Sequence, residues 1–144
     1  MRFMIIVKAN QETEAGIMPE DDSLMAAMAT YHEELQKAGM LLDASGLQPS
    51  SKGWRIKYNG DKRTAVDGPF AETKELVAGY TLIRATSREE AIEWTRRFPN
   101  PDVYGRDCEI EVRQLYELED FAPGSAVERF REMGVSMETP EAGQ

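Results

Sequence analysis

Trp54-Arg55-Ile56-Lys57-Tyr58-Asn59-Gly60-Asp61-Lys62-Arg63-Thr64-Ala65-Val66 is the stretch on which the fold turns. Its first five residues alternate, so Trp54, Ile56 and Tyr58 share one face and Arg55 and Lys57 the other. Asn59-Gly60 is a strong hairpin turn signal, and Arg63 to Val66 return as the second arm. Read as an inserted hairpin, this segment drops out of the main path of the chain. What remains on either side is a β-α-β unit.

Upstream, Phe3 to Val7 is an unbroken apolar run, as expected of a central strand buried on both faces. Asn10 to Gly16 is polar and reads as a loop. Pro19-Glu20-Asp21-Asp22-Ser23 opens a helix, where carboxylates suit the positive end of the dipole. Leu24, Met28, Tyr31, Leu35 and Ala38 then form one apolar stripe, and Gly39 ends the helix. Met40-Leu41-Leu42 reads as a short strand, and Asp43 to Gly53 as a Ser, Gly and Pro-rich loop.

Downstream, Leu76 to Arg84 is a second apolar strand, in which Gly79 marks a bulge or a close backbone approach. Ser87 and Glu90 have capping-box spacing and start a helix over about 88–98, stopped by Pro99. Glu109 to Arg113 alternates as a strand with one wet face. The order β-α-β, hairpin, β-α-β predicts an α+β, ferredoxin-like split βαβ sandwich with both helices on one face of the sheet. The other face is then bare and apolar, which predicts a homodimer joined face to face.

The 144 residues make one domain, here drawn as 1–122, with 123–144 as a C-terminal extension. In the extension, Ala126, Val127, Phe130 and Met133 have the spacing of a short amphipathic helix, and Glu138 to Gln144 read as a disordered tail. The net charge of −9 argues against direct binding to bare nucleic acid or to an anionic membrane. No stretch approaches membrane-spanning length. One cysteine, Cys108, and one histidine, His32, exclude an internal disulfide and a multi-histidine or multi-cysteine metal cage within one chain. No cofactor motif is present, and the expected location is the cytoplasm.

The most distinctive segment follows the hairpin: Asp67-Gly68-Pro69-Phe70-Ala71-Glu72-Thr73-Lys74. Gly68 and Pro69 fix a sharp, rigid corner. Asp67-Gly68-Pro69-Phe70 resembles the signature of the DGPF family, part of the wider YCII-related group. The surrounding sequence is similar in the same order: Arg2-Phe3-Met4, Glu33-Glu34-Leu35 and Gly39, Gly46-Leu47-Gln48-Pro49, Gly79-Tyr80, and Glu90-Ala91-Ile92-Glu93-Trp94. The likeness covers roughly residues 1 to 120. It implies a dimeric α+β barrel of ferredoxin-like subunits, in a superfamily that resembles muconolactone isomerases and includes a dechlorinating enzyme of aromatic breakdown. Relatives with this signature are also associated with extracytoplasmic-function sigma factors. YCII-type members carry a histidine held to be catalytic early in the first helix; that region offers Met28 here, and His32 stands one turn later.

Two functions follow as expectations. The first is binding of a small polar or aromatic molecule with isomerase or lyase-type proton transfer. Asp67 and His32 are its candidate catalytic groups, and Phe70, Glu72, Lys74, Tyr80 and Trp54 its candidate substrate contacts. If the segment after Phe70 is extended, Phe70, Glu72 and Lys74 face one side. The bland alternatives are an Asp67 that caps the turn, a structural His32 and packing aromatics. The second function is a non-catalytic interaction module that docks a sigma factor, using Val127, Phe130 and Met133.

Overall fold

The computed structural model describes residues 1–134. A four-stranded antiparallel sheet forms the centre. Its strands are β1 (Arg2–Lys8), β2 (Leu41–Gly46), β5 (Val77–Arg84) and β6 (Ile110–Gln114), in the order β2-β5-β1-β6. The inserted hairpin is β3 (Trp54–Asn59) with β4 (Lys62–Asp67), a separate two-stranded sheet. Helices α2 (Ser23–Lys37) and α3 (Arg88–Thr95) complete the two β-α-β halves. This strand order and all-antiparallel pairing are those of a ferredoxin-like sheet.

The apolar stripes read from sequence explain the packing. Phe3 and Ile5 of β1 and Ile83 of β5 point to the helices and meet Tyr31 and Leu35 of α2 and Ala91 of α3 in one core. The Tyr31 hydroxyl donates to the Trp94 carbonyl at 2.8 Å, and burial pushes its pKa up to about 12. Gly39 ends α2 with φ +71°, a conformation that favours glycine, and Arg84 Nε donates to its carbonyl at 2.7 Å. Ser87 caps α3, accepting from the Glu90 amide at 3.1 Å.

On the opposite face, Met4 pairs with Leu82 and Ile6 with Tyr80. Outside them stand Arg113 and Glu111 of β6 and Asp43 and Ser45 of β2. These four apolar side chains are half-buried within the chain. At one end of this face the buried Arg2 donates to Glu117 at 3.1 Å and to the Tyr116 carbonyl at 3.1 Å, tying the chain after β6 across it.

Three local expectations are corrected. Residues 10–16 are not all loop: α1 (Gln11–Glu14) forms there, because Asn10 and Thr13 cap each other's backbone N–H groups at 2.9 Å. Strand β2 runs on to Gly46, since edge pairing with β5 supplies its backbone bonds where its own sequence is polar. Helix α3 ends at Thr95, before Phe98. In the C-terminal part, α4 (Ser125–Met133) forms with Phe130 and Met133 exposed. The tail expected to be disordered, Glu138 to Gln144, lies outside the described residues.

The loop between α3 and β6 is organised by Asp102, which accepts from the backbone amides of Tyr104 and Arg106 at 3.0 Å and from the Arg106 guanidinium at 3.0 and 3.1 Å. Arg106 also reaches Glu12 of α1 at 2.9 Å. The Arg106 side chain, then its amide, hold the Asp102 carboxyl at about 2. Because the Asp102 carboxyl is held low, its stabilising contribution is complete above the ordinary carboxylate range and is lost as pH falls through about 2. Acid titration should therefore expose the Tyr104 and Arg106 amides to hydrogen exchange between about pH 4 and 2. Protection unchanged down to pH 2 would contradict it.

Candidate functional site

A cavity of about 440 Å³ lies between α2 and the sheet. That is the size range of small-molecule sites. Val7, Met25, Met28, Ala29, Phe98 and Pro101 supply apolar walls. Ala44, Ser45 and Gly46 of β2 and Ala78 to Thr81 of β5 form the rest. Small residues keep the slot open: Gly79 stands so close to β2 that an added Cβ would lie 3.2 Å from the Ser45 carbonyl oxygen. Among the described residues no Asp, Glu, Lys or Arg lines it.

Its polar group is a pair. His32 Nδ1 is 2.7 Å from the Met28 carbonyl oxygen, and Nε2 is 2.8 Å from Thr81 Oγ1. A carbonyl only accepts, so Nδ1 carries the proton and donates. In the neutral ring Nε2 is then the acceptor, and the Thr81 hydroxyl donates to it. The ring is held edge-on by Tyr31 and Phe98, with centroids 5.6 and 6.2 Å away. Thr81 is buried, and its Oγ1 retains lone pairs that can accept from a ligand hydroxyl.

Of the residues singled out in the sequence, His32 and Tyr80 line this cavity. The Tyr80 hydroxyl itself donates to Asp43 at 2.9 Å. Asp67, Trp54, Phe70, Glu72 and Lys74 are not among the lining residues, because they belong to the hairpin and the corner after it. The extended reading of 70–74 is corrected: Thr73–Glu75 form a 3-10 turn, so the chain bends between Phe70 and Lys74 and alternation does not align them. Thr81 was not singled out. Its signal was present, since it is polar yet shares the inward parity of Ile83 on a central strand.

The corner has a different architecture from the one expected. The Gly68 amide donates to the Gly53 carbonyl at 2.9 Å, and the Phe70 amide to Ser50 Oγ at 3.0 Å. Ser50 in turn gives both its amide, at 2.9 Å, and its hydroxyl to the Glu14 carboxylate. The carboxylate that organises this turn is therefore Glu14 of α1, while Asp67 is exposed. Arg55 lies 3.8 Å over the Phe70 ring. The distinctive segment thus bolts the base of the β3–β4 hairpin to α1.

Among the described residues no group of three or more His, Cys, Asp or Glu is placed to hold a metal ion, and no helix is long and apolar enough to cross a membrane.

Fold and cavity together define a ferredoxin-like α+β protein with a small-molecule-sized slot. The chain belongs to the YCII-related domain family, whose profile matches residues 1–118. A relative is an uncharacterised protein of Rhizobium meliloti (strain 1021), 29% identical over 105 residues, which are 73% of this chain and 85% of the relative. Among solved structures, the 5-chloro-2-hydroxyhydroquinone dehydrochlorinase of Burkholderia phenoliruptrix AC1100, in complex with 2,5-dihydroxybenzoquinone, aligns with a TM-score of 0.42 at 14% identity. The alignment covers 81% of this chain and 95% of that one. The fold assignment rests on the strand order.

Proposed function

We propose that this protein binds a small, uncharged, mostly apolar molecule in the α2–β5 slot and moves a proton of its hydroxyl or enol through Thr81 and His32, as an isomerase or lyase does. The observation that carries the reading is the half-buried Thr81–His32 hydrogen bond opening into a mostly apolar cavity. Apolar walls select for rings or short chains, and a single polar pair orients one oxygen. The absence of lining Arg and Lys disfavours carboxylates and phosphates. Asp67 has no step in this reading. The working unit is a homodimer that buries Met4, Ile6, Tyr80 and Leu82 against their copies.

His32 is the single histidine of the chain, so its ring resonances are an unambiguous reporter. In an NMR screen of cyclic lactones, enols and hydroxylated aromatics, a ligand of the slot shifts the His32 ring and the Thr81 methyl together. Hits that move only residues outside the slot would sink the assignment.

A further inference from the structure

The hairpin β3–β4 carries more exposed apolar surface than a two-stranded ribbon needs. Trp54 and Tyr58 are 64% and 68% exposed and Ile56 is 43% exposed, all on one face. Isolated hairpins are marginal in water. This one is fastened at its base, by Gly68 to Gly53 and by Phe70 through Ser50 to Glu14, while every residue of β3 is exposed. A ribbon held at a fixed angle, with its aromatic face uncovered, is built to meet another surface.

The charge pattern says which. Residues 52–67 hold five cations (Lys52, Arg55, Lys57, Lys62, Arg63) and two carboxylates (Asp61, Asp67), in a chain of net charge −9. The hairpin is thus basic and the rest of the chain more acidic than the whole. A single-stranded nucleic acid would need cations beside the rings on which its bases stack. Arg63 does stand by a ring of this face, 5.1 Å from the Tyr58 centroid, but Trp54 has the carboxylate Asp67 as its cross-strand partner, and Arg55 and Lys57 alternate to the back of the ribbon, where Arg55 is held over Phe70. The apolar face suits a protein surface, and the cations flanking it suit an acidic one.

We propose that the β3–β4 hairpin is a docking arm for a second copy of this chain, its Trp54, Ile56 and Tyr58 face seated on the acidic body of that copy. The inference rests on the homodimer reading and extends that interface beyond the sheet face. The Asp67 to Phe70 corner is then the shoulder that sets the arm's angle.

Two measurements test it on the full chain. In sedimentation equilibrium, the wild type is a dimer. Trp54→Ser with Tyr58→Ser, both exposed and so compatible with folding, raises the dissociation constant at least about 10-fold, in the range of lost aromatic interface anchors. In a mixed sample of labelled and unlabelled chains, isotope-filtered spectra show contacts from the Trp54 and Tyr58 rings to the other chain. A monomeric wild type removes both the dimer and the arm. A dimer whose filtered spectra lack these contacts, or whose constant is unchanged in the double variant, overturns the arm alone. Saturable binding of a single-stranded oligonucleotide at physiological salt that depends on Trp54 and Tyr58 overturns the choice of partner.

Discussion

Gly68→Ala should destabilise the chain by about 3 kcal/mol, the upper range of forced overpacking. A methyl at that position would lie 1.9 Å from the Ser50 carbonyl oxygen and 2.7 Å from its carbon. Both are backbone atoms, so no side-chain rotation relieves the clash. Residues 50–52 must move, and the Phe70 amide then loses Ser50 while Ser50 loses Glu14. For a domain of this size the melting temperature should fall by about 10 °C. Gly46→Ala is the control, because an added methyl there meets nothing within 4 Å. It should change stability by no more than about 0.5 kcal/mol. A Gly68→Ala protein that melts within about 2 °C of the parent would contradict the close approach.

What the motif does in the fold differs from what makes it conspicuous in the chain. The Gly-Pro pair announced a rigid corner, and the corner exists. Its partners were invisible because Ser50 lies 20 residues and Glu14 more than 50 residues before Phe70. Short-range signals of the same kind were readable: Asn59-Gly60 as the hairpin tip, with Gly60 at φ +59°, and Ser87 as a helix cap. Elements stabilised by pairing rather than by their own pattern were not. Strand β2 is mostly exposed and polar beyond Leu42, so only β5 makes it a strand. Helix α1 has no apolar periodicity and exists through the reciprocal Asn10–Thr13 cap.

The candidate site divides along the same line. His32 stood out as the chain's one histidine, four residues from Met28 and so one turn away on α2. Its link to Thr81 spans 49 residues and depends on α2 crossing β5. Asp67 stood out because its neighbours were conspicuous, which is a property of the corner and not of the cavity. The binary pattern of β5 held the missing information. A threonine on the inward face beside Ile83 must find an acceptor, and α2 is the element that packs there.

His32→Asn should lower turnover of any substrate of the slot by at least about 100-fold, the usual contribution of a positioned acid–base group. The asparagine amide retains a donor toward the Met28 carbonyl and removes the acceptor at Nε2. The Thr81 hydroxyl would then lose its partner, at about 1 to 2 kcal/mol of stability, so the folded protein remains available for assay. Thr81→Val decides how the proton travels. Because Nε2 is already engaged by the Thr81 hydroxyl at 2.8 Å, a ligand proton reaches the ring through that hydroxyl: the ligand gives its proton to Oγ1 as Oγ1 gives its own to Nε2. Valine keeps the shape and ends the relay, so it should lose about as much activity as His32→Asn, and Thr81→Ser should recover most of it. If valine turns over as fast as threonine, His32 takes the proton directly and the Thr81 hydroxyl has no part in the transfer. If His32→Asn is as active as the parent, the reaction does not pass its proton through His32 and the relay is overturned.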